Sequence, residues 1–190
     1  MVEVTTYRTE TYAPNSRKPD VAYGDTLEGD LSRRDFRLNA MAVRFPDLTF
    51  VDPFGGLSDL ALGVLRTPTS PEQSFDDDPL RMMRACRFAA QLGLTIAPEV
   101  IAAMTAMAPR LAIVSAERVQ AELVKMLLAP VPRRGLEPLV STGLAAVVLP
   151  ELPAMQLEID EHHRHKDVYA HSLTVLEQAI DLETGPDGPV

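Results

Sequence analysis

The chain has no tryptophan, a single cysteine, and only 5% Phe, Trp and Tyr among its 190 residues. The lone Cys86 excludes a disulfide framework within the chain and fits a reducing compartment. No run of about 18 apolar residues is present, so no membrane-spanning helix is predicted. No signal-peptide pattern follows Met1, and we expect a cytoplasmic protein without a membrane partner. Hydrophobic residues still make up 46% of the chain, enough for a core of mainly Leu, Val, Ala and Met.

Negative charge is concentrated towards the C-terminus. The formal net charge is −9, and residues 135–190 alone contain ten Asp or Glu against two Lys or Arg. The preceding two thirds are close to neutral and contain clustered arginines. Phosphate binding is therefore compatible with the composition, although the chain as a whole is acidic.

Residues 75–88, with the sequence FDDDPLRMMRACRF, are the most informative stretch. Acidic residues followed by Pro79 are typical of a helix start, and they predict a helix over residues 77–92. Helical spacing places five apolar residues on one face, which we expect to be buried: Met82, Met83, Cys86, Ala89 and Ala90.

The opposite face of this predicted helix is charged. Spacings of three and four place Asp77 and Asp78 beside Arg81, with Arg84 on the same face and Arg87 at its edge. A carboxylate beside a guanidinium offers acceptors and donors in one plane. That arrangement matches the pairing edges of C and A and not the reversed pattern of U and G. A base-reading pair is one interpretation, and an ordinary surface salt bridge is the other.

The remaining pattern predicts an α+β chain, in which a mixed N-terminal part is followed by helices. Strands are predicted at residues 2–8, 43–45, 49–51 and 64–66, and helices at residues 32–42, 56–62, 77–92, 98–108, 115–129, 133–142, 145–157 and 167–183. The Asp25–Asp30 segment is acidic and resembles a turn.

Arg33, Arg34 and Asp35 open the predicted helix that Ser32 caps. A helix N-terminus favours anions, so two guanidiniums there could hold a triphosphate. Asp35 could accept a hydrogen bond from a ribose hydroxyl or orient an arginine, and Asn39, one turn further on, can donate and accept. A solvated basic turn is the alternative interpretation.

Residues 52–56, DPFGG, are interpreted as a structural turn, because glycines permit positive φ and proline fixes the turn. Glu117 and Arg118 lie on a predicted helix and could support the arginines of the 77–92 helix, or lie on a plain surface. Glu3 on the first predicted strand could be a lone metal-facing carboxylate or a solvent-facing residue. The histidines at 162–165 and His171 suggest a metal site, but no His-Asp doublet follows to complete it.

Four segments carry a family resemblance through their order and spacing: RRDFRLNA at 33–40, DPFGG with Asp59-Leu60, DDPLRMMRACRF at 77–88, and SAERVQAEL at 115–123. Together they resemble the bacterial tRNA nucleotidyltransferase/poly(A) polymerase family, the class II CCA-adding enzymes. The resemblance covers roughly residues 1–184.

The resemblance implies a polymerase-β-like nucleotidyltransferase head followed by an all-α neck and body. It divides the chain into a partial head at 1–66, an RNA- and nucleotide-binding helical part at 67–160, and the start of an HD-type helical domain at 161–190. It assigns triphosphate and sugar binding to Arg33, Arg34, Asp35 and Asn39. It assigns base reading to Asp78 and Arg81 and further nucleotide contacts to Arg84 and Arg87.

The resemblance also leads us to expect several supporting features. Asp77 stands where the family has glutamate, and His171 falls on the first metal-ligand position of an HD-type domain. The glycine-rich loop and paired aspartates of the family's head are not found in this sequence, so we expect an internal piece that is inactive alone and able to self-associate through its head. The expected reaction adds C and A to tRNA 3′ ends from CTP and ATP with Mg²⁺. An A-adding enzyme or poly(A) polymerase, and a non-catalytic RNA- or nucleotide-binding module, are the alternatives.

Overall fold

A computed structural model describes residues 8–11, 20–23, 26–157 and 168–184. Within these ranges the chain is α+β, as predicted, with short strands and many helices. The strands are β1 (Arg8–Thr11), β2 (Asp20–Tyr23), β3 (Ala42–Arg44), β4 (Thr49–Val51), β5 (Val64–Leu65) and β6 (Thr95–Ile96). The α-helices are α1 (Leu27–Ser32), α2 (Gly56–Leu62), α3 (Pro71–Asp77), α4 (Leu80–Leu92), α5 (Pro98–Met107), α6 (Ala116–Leu127), α7 (Arg133–Ser141), α8 (Leu144–Val148), α9 (Glu151–Ala154) and α10 (Val168–Thr184). Short 3₁₀ segments span Arg37–Asn39, Ala108–Ile113 and Met155–Leu157.

The strands form three two-stranded sheets. β1 pairs antiparallel with β2, and β3 pairs antiparallel with β4 in the register Ala42↔Val51 to Arg44↔Thr49. β5 and β6 pair in parallel, with Val64 opposite Thr95. The β5–β6 pair connects the N-terminal mixed part to the helical part, because its two strands come from opposite sides of α3 and α4 in the chain.

Helix α4 lies at the centre of the core and packs against α6 and α7. The five apolar residues that the sequence places on its inner face are all buried, and Met82, Met83 and Cys86 have no exposed surface. Burial raises the pKa of the Cys86 thiol, so this group stays protonated. The predicted orientation of this helix is confirmed.

Gly135 allows α7 to approach α4 closely. A Cβ atom at this position would lie 2.6 Å from the backbone oxygen of Cys86 and 2.8 Å from the Cγ of Met126. The backbone oxygen cannot move without shifting α4, so a side chain cannot fit there without displacing the helix.

Several predicted element boundaries are wrong. The 32–42 helix is replaced by α1 ending at Ser32, a non-helical turn, and a 3₁₀ segment at Arg37–Asn39. The Asp25–Asp30 segment, interpreted as a turn, mostly belongs to α1, whose start Thr26 caps by accepting from Gly29 N–H. The 145–157 helix is divided into α8, α9 and a 3₁₀ segment around Pro150, which cannot donate a backbone hydrogen bond.

The predicted 77–92 helix is also divided. Residues Pro71–Asp77 form α3, and α4 begins only at Leu80. Asp78 between them has an extended backbone, with φ −145° and ψ 100°. The residue before a proline is biased away from the helical region, and this bias produces the break.

The strand predicted at residues 2–8 and the role predicted for Glu3 fall mostly or wholly outside the described residues. The predicted strand at residues 2–8 overlaps β1 only at Arg8, and Glu3 lies outside the described residues. Val43, Phe45, Leu48 and Phe50 of the β3–β4 hairpin are each at least half exposed. Self-association through the head and the three domain boundaries stay predictions. Among the described helices, none is both long and apolar enough to cross a membrane.

The contact at Gly135 gives a stability prediction. Gly135→Ala should lower the free energy of unfolding by about 1–3 kcal/mol, because the added methyl group collides with the backbone of α4. Denaturant unfolding measures the change. Ser141→Ala, on the exposed end of the same helix, is the matched control and should change stability by less than about 0.5 kcal/mol. Equal stability of the Gly135→Ala variant would contradict the close approach of α7 to α4.

Candidate nucleotide-binding site

The segment after α1, residues 33–36, forms a turn that lies against α4; we call it the arginine turn. Phe36 anchors it, because this side chain is fully buried. The Phe36 ring packs edge-on against Phe88 of α4, with centroids 5.6 Å apart and an interplanar angle of 85°. Aromatic pairs favour this geometry, so the turn has a defined position relative to the helix.

Arg33 and Arg34 are held by one carboxylate. Asp30 on α1 accepts from Nε and Nη2 of Arg33 at 3.3 and 3.0 Å through Oδ1, and from Nη2 of Arg34 at 2.9 Å through Oδ2. The Asp30 side chain is only 7% exposed, whereas Arg34 is 47% exposed. The two guanidiniums therefore lie side by side at the surface above a buried anion.

Asp35 links the arginine turn to α4. Its Oδ1 accepts from the Phe36 backbone N–H at 2.9 Å and from Asn39 Nδ2 at 3.0 Å. Its Oδ2 forms an ion pair with Nη2 of Arg84 at 2.6 Å. Asp35 is buried and Asn39 is exposed, so the carboxylate already has several protein partners while the amide lies at the surface.

Arg81 lies on α4, three residues before Arg84, and also contacts the arginine turn. Its Nη2 donates to the backbone oxygen of Arg33 at 2.7 Å, and its Nη1 donates to Ser74 Oγ on α3 at 2.9 Å. The side chain thus joins the end of α3, the start of α4 and the arginine turn. The structure brings Arg33, Arg34, Asp35, Arg81 and Arg84 together, and their binding of a nucleotide stays a prediction.

Asp78 and Arg81 do not pair with each other, contrary to the expectation from helical spacing. Asp78 Oδ1 accepts from the Leu80 N–H at 3.1 Å, and its Oδ2 pairs with Nη2 of Arg118 at 2.8 Å. Asp77 accepts a hydrogen bond from Gln73 within α3 at 2.8 Å, whereas Arg81 donates to Ser74 and to the Arg33 backbone oxygen. Helical spacing does not apply across Asp78, because the two aspartates lie at the junction of two helices.

Arg87 is the most buried arginine of this face. Its Nε donates to Glu122 on α6 at 2.5 Å, its Nη1 donates to Gln91 at 2.6 Å, and its guanidinium lies 4.0 Å from the centroid of the Phe88 ring. The Arg87 and Glu122 side chains are 11% and 9% exposed. Arg87 therefore connects α4 to α6 and stiffens the helix that carries the site.

The structure shows no contact that supports the role predicted for Glu117, which stays a prediction. Glu117 is exposed and forms no ion pair within the described residues, whereas Glu122 one turn later holds Arg87. Arg118 contacts Asp78 instead of an arginine. Sequence reasoning also missed Asp30 and Ser74. The spacing of Asp30 from Arg33 and Arg34, three and four residues, was the available signal for the former.

Two family models match the chain. One is described as the "Poly A polymerase head domain" and matches residues 1–66; the other, "Probable RNA and SrmB- binding site of polymerase A", matches residues 93–155. The CCA-adding enzyme of Levilactobacillus brevis is 46% identical over 143 residues, which are 75% of this chain and 36% of that protein.

The fold is similar to solved structures of a CCA-adding enzyme and of a tRNA nucleotidyltransferase. The crystal structure of the Bacillus stearothermophilus CCA-adding enzyme in complex with CTP is 38% identical with a TM-score of 0.72, over 80% of this chain and 36% of that one. A tRNA nucleotidyltransferase complexed with a primer tRNA and an incoming ATP analog is 26% identical with a TM-score of 0.60, over 84% of this chain and 52% of that one.

The chain belongs to the bacterial tRNA nucleotidyltransferase/poly(A) polymerase family. The family prediction made from the four ordered motifs is confirmed. The chain spans less than half the length of the curated relatives it matches, 36% of the Levilactobacillus brevis protein and 45% of the Enterococcus faecalis protein.

The DPFGG motif of this family member is structural, as predicted. Asp52 caps α2 by accepting from the Gly56 and Leu57 N–H groups at 2.7 and 2.9 Å. Gly55 has φ +76°, and a Cβ atom at Gly56 would lie 2.2 Å from the backbone oxygen of Arg37. The motif therefore holds α2 against the 3₁₀ segment that follows the arginine turn.

The described residues do not form a cluster of metal ligands. No group of three or more His, Cys, Asp or Glu side chains among them could hold a metal ion. His171 is exposed on α10, and the histidines at 162–165 and Glu3 lie outside the described ranges. The residues present do not supply a site for the Mg²⁺ expected for this family, and metal ligation by His171 or Glu3 stays a prediction.

The buried Arg87–Glu122 pair gives a second stability prediction. Glu122→Ala should lower the free energy of unfolding by about 3 kcal/mol, because Arg87 keeps its charge without its main carboxylate partner. Lys125→Ala removes a more exposed partner of the same carboxylate, 3.6 Å away, and serves as the control. It should cost less than about 1 kcal/mol. Similar losses in both variants, measured by denaturant unfolding, would contradict the central role of the buried pair.

Proposed function

We propose that this chain forms the nucleotide-binding part of an enzyme that adds C and A to tRNA 3′ ends. In that reaction the terminal hydroxyl oxygen bonds to the α-phosphorus of CTP or ATP, and pyrophosphate leaves. The observation that supports this proposal is the direct linkage of the arginine turn to α4 through Arg81 and Arg84. The names of the relatives, which include a complex with CTP and one with a primer tRNA, point to the same reaction.

The arginine turn is proposed to bind the triphosphate. Arg33 and Arg34 provide adjacent guanidiniums, which match the paired oxygens of phosphate groups. Asn39 is exposed beside them and could contact the sugar. Asp35 holds Arg84 and Asn39 in place, so its proposed contribution to nucleotide binding is to orient these two side chains.

Base reading is proposed for Asp78 and Arg81 through separate hydrogen bonds. Asp78 is 23% exposed and its position is set by Arg118 and the Leu80 N–H. Its carboxylate can accept from the amino group of C or A, while U and G present a keto oxygen there. Arg81 remains partly exposed at the arginine turn and could donate to the ring nitrogen. A mismatched base would leave buried or partly buried polar groups without partners.

Arg84 and Arg87 differ in their proposed contributions. Arg84 is 35% exposed beside Asp35 and is placed to contact a nucleotide bound at the turn. Arg87 is almost enclosed by Glu122, Gln91 and Phe88, so it supports the site by fixing α4.

The tRNA 3′ end is the proposed second substrate. Residues 93–155 match a model described as a probable RNA-binding site, and they contain α5 to α9, of which α6 and α7 pack against α4. An RNA bound along these helices would have its end close to the arginine turn.

An A-adding enzyme or poly(A) polymerase is the second candidate. The model that matches residues 1–66 is described as a Poly A polymerase head domain, which favours this possibility. Both candidates require the same triphosphate site, and they differ only in the nucleotides that are accepted.

Nucleotide incorporation separates these functions. The protein as encoded by its gene should be offered tRNAs lacking one, two or three terminal nucleotides, with ATP, CTP, UTP or both natural substrates. CCA addition predicts C on the two shorter acceptors followed by A, and no incorporation of U. Incorporation of A alone would establish the second candidate, and no incorporation together with no nucleotide binding would overturn both.

The base-reading proposal predicts a change of selectivity. Asp78→Asn should lower the preference for CTP over UTP by about tenfold, because the amide adds a donor and removes a charged acceptor. Triphosphate binding should change by less than about twofold. Competition binding with CTP, UTP and inorganic tripolyphosphate measures both quantities.

The matched control is Asp77→Asn, which neutralises the neighbouring carboxylate, whose hydrogen-bond partner among the described residues is Gln73 on the same helix. It should leave the CTP to UTP ratio unchanged. Equal ratios for the protein without substitution and the Asp78→Asn variant would rule out base reading by Asp78.

A further inference from the structure

Asp30 is the only carboxylate among the described residues that contacts both Arg33 and Arg34. We propose that Asp30 is a positioning residue that pre-aligns these two guanidiniums for a nucleoside triphosphate. The inference rests on the proposed function, because it assumes that both arginines bind the triphosphate. In this proposal the buried Asp30 does not touch the nucleotide and acts by orienting Arg33 and Arg34.

The contacts of Asp30 are suited to this role. Oδ1 receives two N–H groups of Arg33 and Oδ2 receives one of Arg34, so each oxygen orients a different guanidinium. The carboxylate lies on α1, whose start is capped by Thr26, and it is almost fully buried. A second attachment holds the turn from the other side, since Arg81 donates to the Arg33 backbone oxygen.

Removing the Asp30 carboxylate would take two hydrogen bonds from Arg33 and one from Arg34, so each guanidinium would be less closely oriented. Immobilising each such side chain on binding costs about 0.5–1.5 kcal/mol, and a carboxylate that holds both in advance removes part of this cost. The guanidinium of Arg34 has five N–H donors, of which the contact with Asp30 uses one. The arginine can therefore be held and still donate to phosphate oxygens.

Two effects of Asp30 on an anionic ligand oppose each other. Its negative charge repels a triphosphate, while its hydrogen bonds align the groups that bind one. Simple charge counting predicts that neutralising Asp30 strengthens triphosphate binding, because the local charge becomes more positive. Pre-alignment predicts the reverse. The sign of the change in triphosphate affinity therefore distinguishes charge repulsion from pre-alignment. If Asp30 only stabilised the fold, its neutralisation would change this affinity in neither direction.

The test compares Asp30→Asn with the unsubstituted protein as encoded by its gene, using CTP and inorganic tripolyphosphate as the probes. We expect both to bind about tenfold more weakly to the variant, which corresponds to about 1.4 kcal/mol. Cytidine, which has no phosphate, should bind equally to both proteins. Unchanged or tighter binding of tripolyphosphate would overturn the proposal.

Two further variants keep the test decisive. Asp47→Asn neutralises an exposed carboxylate in the β3–β4 turn and controls for net charge; it should leave both affinities unchanged. Arg34→Ala tests the assumption about the arginines. If Arg34→Ala weakens tripolyphosphate binding and Asp30→Asn does not, only the positioning role fails. If Arg34→Ala has no effect, triphosphate binding by the arginine turn fails as well.

The thermal transition shows whether Asp30→Asn folds. If it does not fold, the double variant Asp30→Asn/Arg34→Ala is compared with Arg34→Ala instead. Equal tripolyphosphate affinities of the folded double variant and of Arg34→Ala would then overturn the proposal.

Discussion

The ion pair between Asp35 and Arg84 fixes the arginine turn to α4, and the rest of the site depends on this connection. Backbone hydrogen bonds hold the two ends of this segment, from Arg34 N–H to the Leu31 oxygen at 3.2 Å and from Arg37 N–H to the Arg66 oxygen at 2.9 Å, and side chains place it against α4. Asp35 supplies an ionic contact, Arg81 binds the backbone oxygen of Arg33, and Phe36 packs on Phe88. Charged, polar and apolar contacts thus specify the same placement, and such agreement favours one defined arrangement.

Helix α4 provides a well-defined support for the arginine turn because several independent contacts determine its own position. Its inner face is fully buried, Gly135 lets α7 approach it, and Arg87 pairs with Glu122 on α6. The buried ion pair is costly to desolvate and is a weak source of stability by itself. Its value lies in orientation, since Arg87 can satisfy Glu122 and Gln91 together only when α4 and α6 are correctly aligned.

The sequence was sufficient for the family, the fold class and the inner face of α4, because periodicity and motif order are local and additive signals. It failed at the junction of α3 and α4, where the bias imposed by Pro79 on Asp78 overrides an otherwise continuous helical pattern. It also failed to pair Arg87 with Glu122 or Asp78 with Arg118, since those contacts join residues 35 and 40 positions apart. Spacing within one helix carries no information about such contacts. The sequence therefore did not provide the partners of the proposed site residues.

The break before α4 changes which partners the Asp78 and Arg81 side chains have. In a continuous helix, their spacing would favour an ion pair between the two side chains. The extended backbone at Asp78 turns its carboxylate towards Arg118, while Ser74 and the arginine turn receive Arg81. The acceptor and the donor are thereby held by different elements and stay available at neighbouring points of the surface. The proposed base-reading role therefore involves two side chains that different partners hold in place.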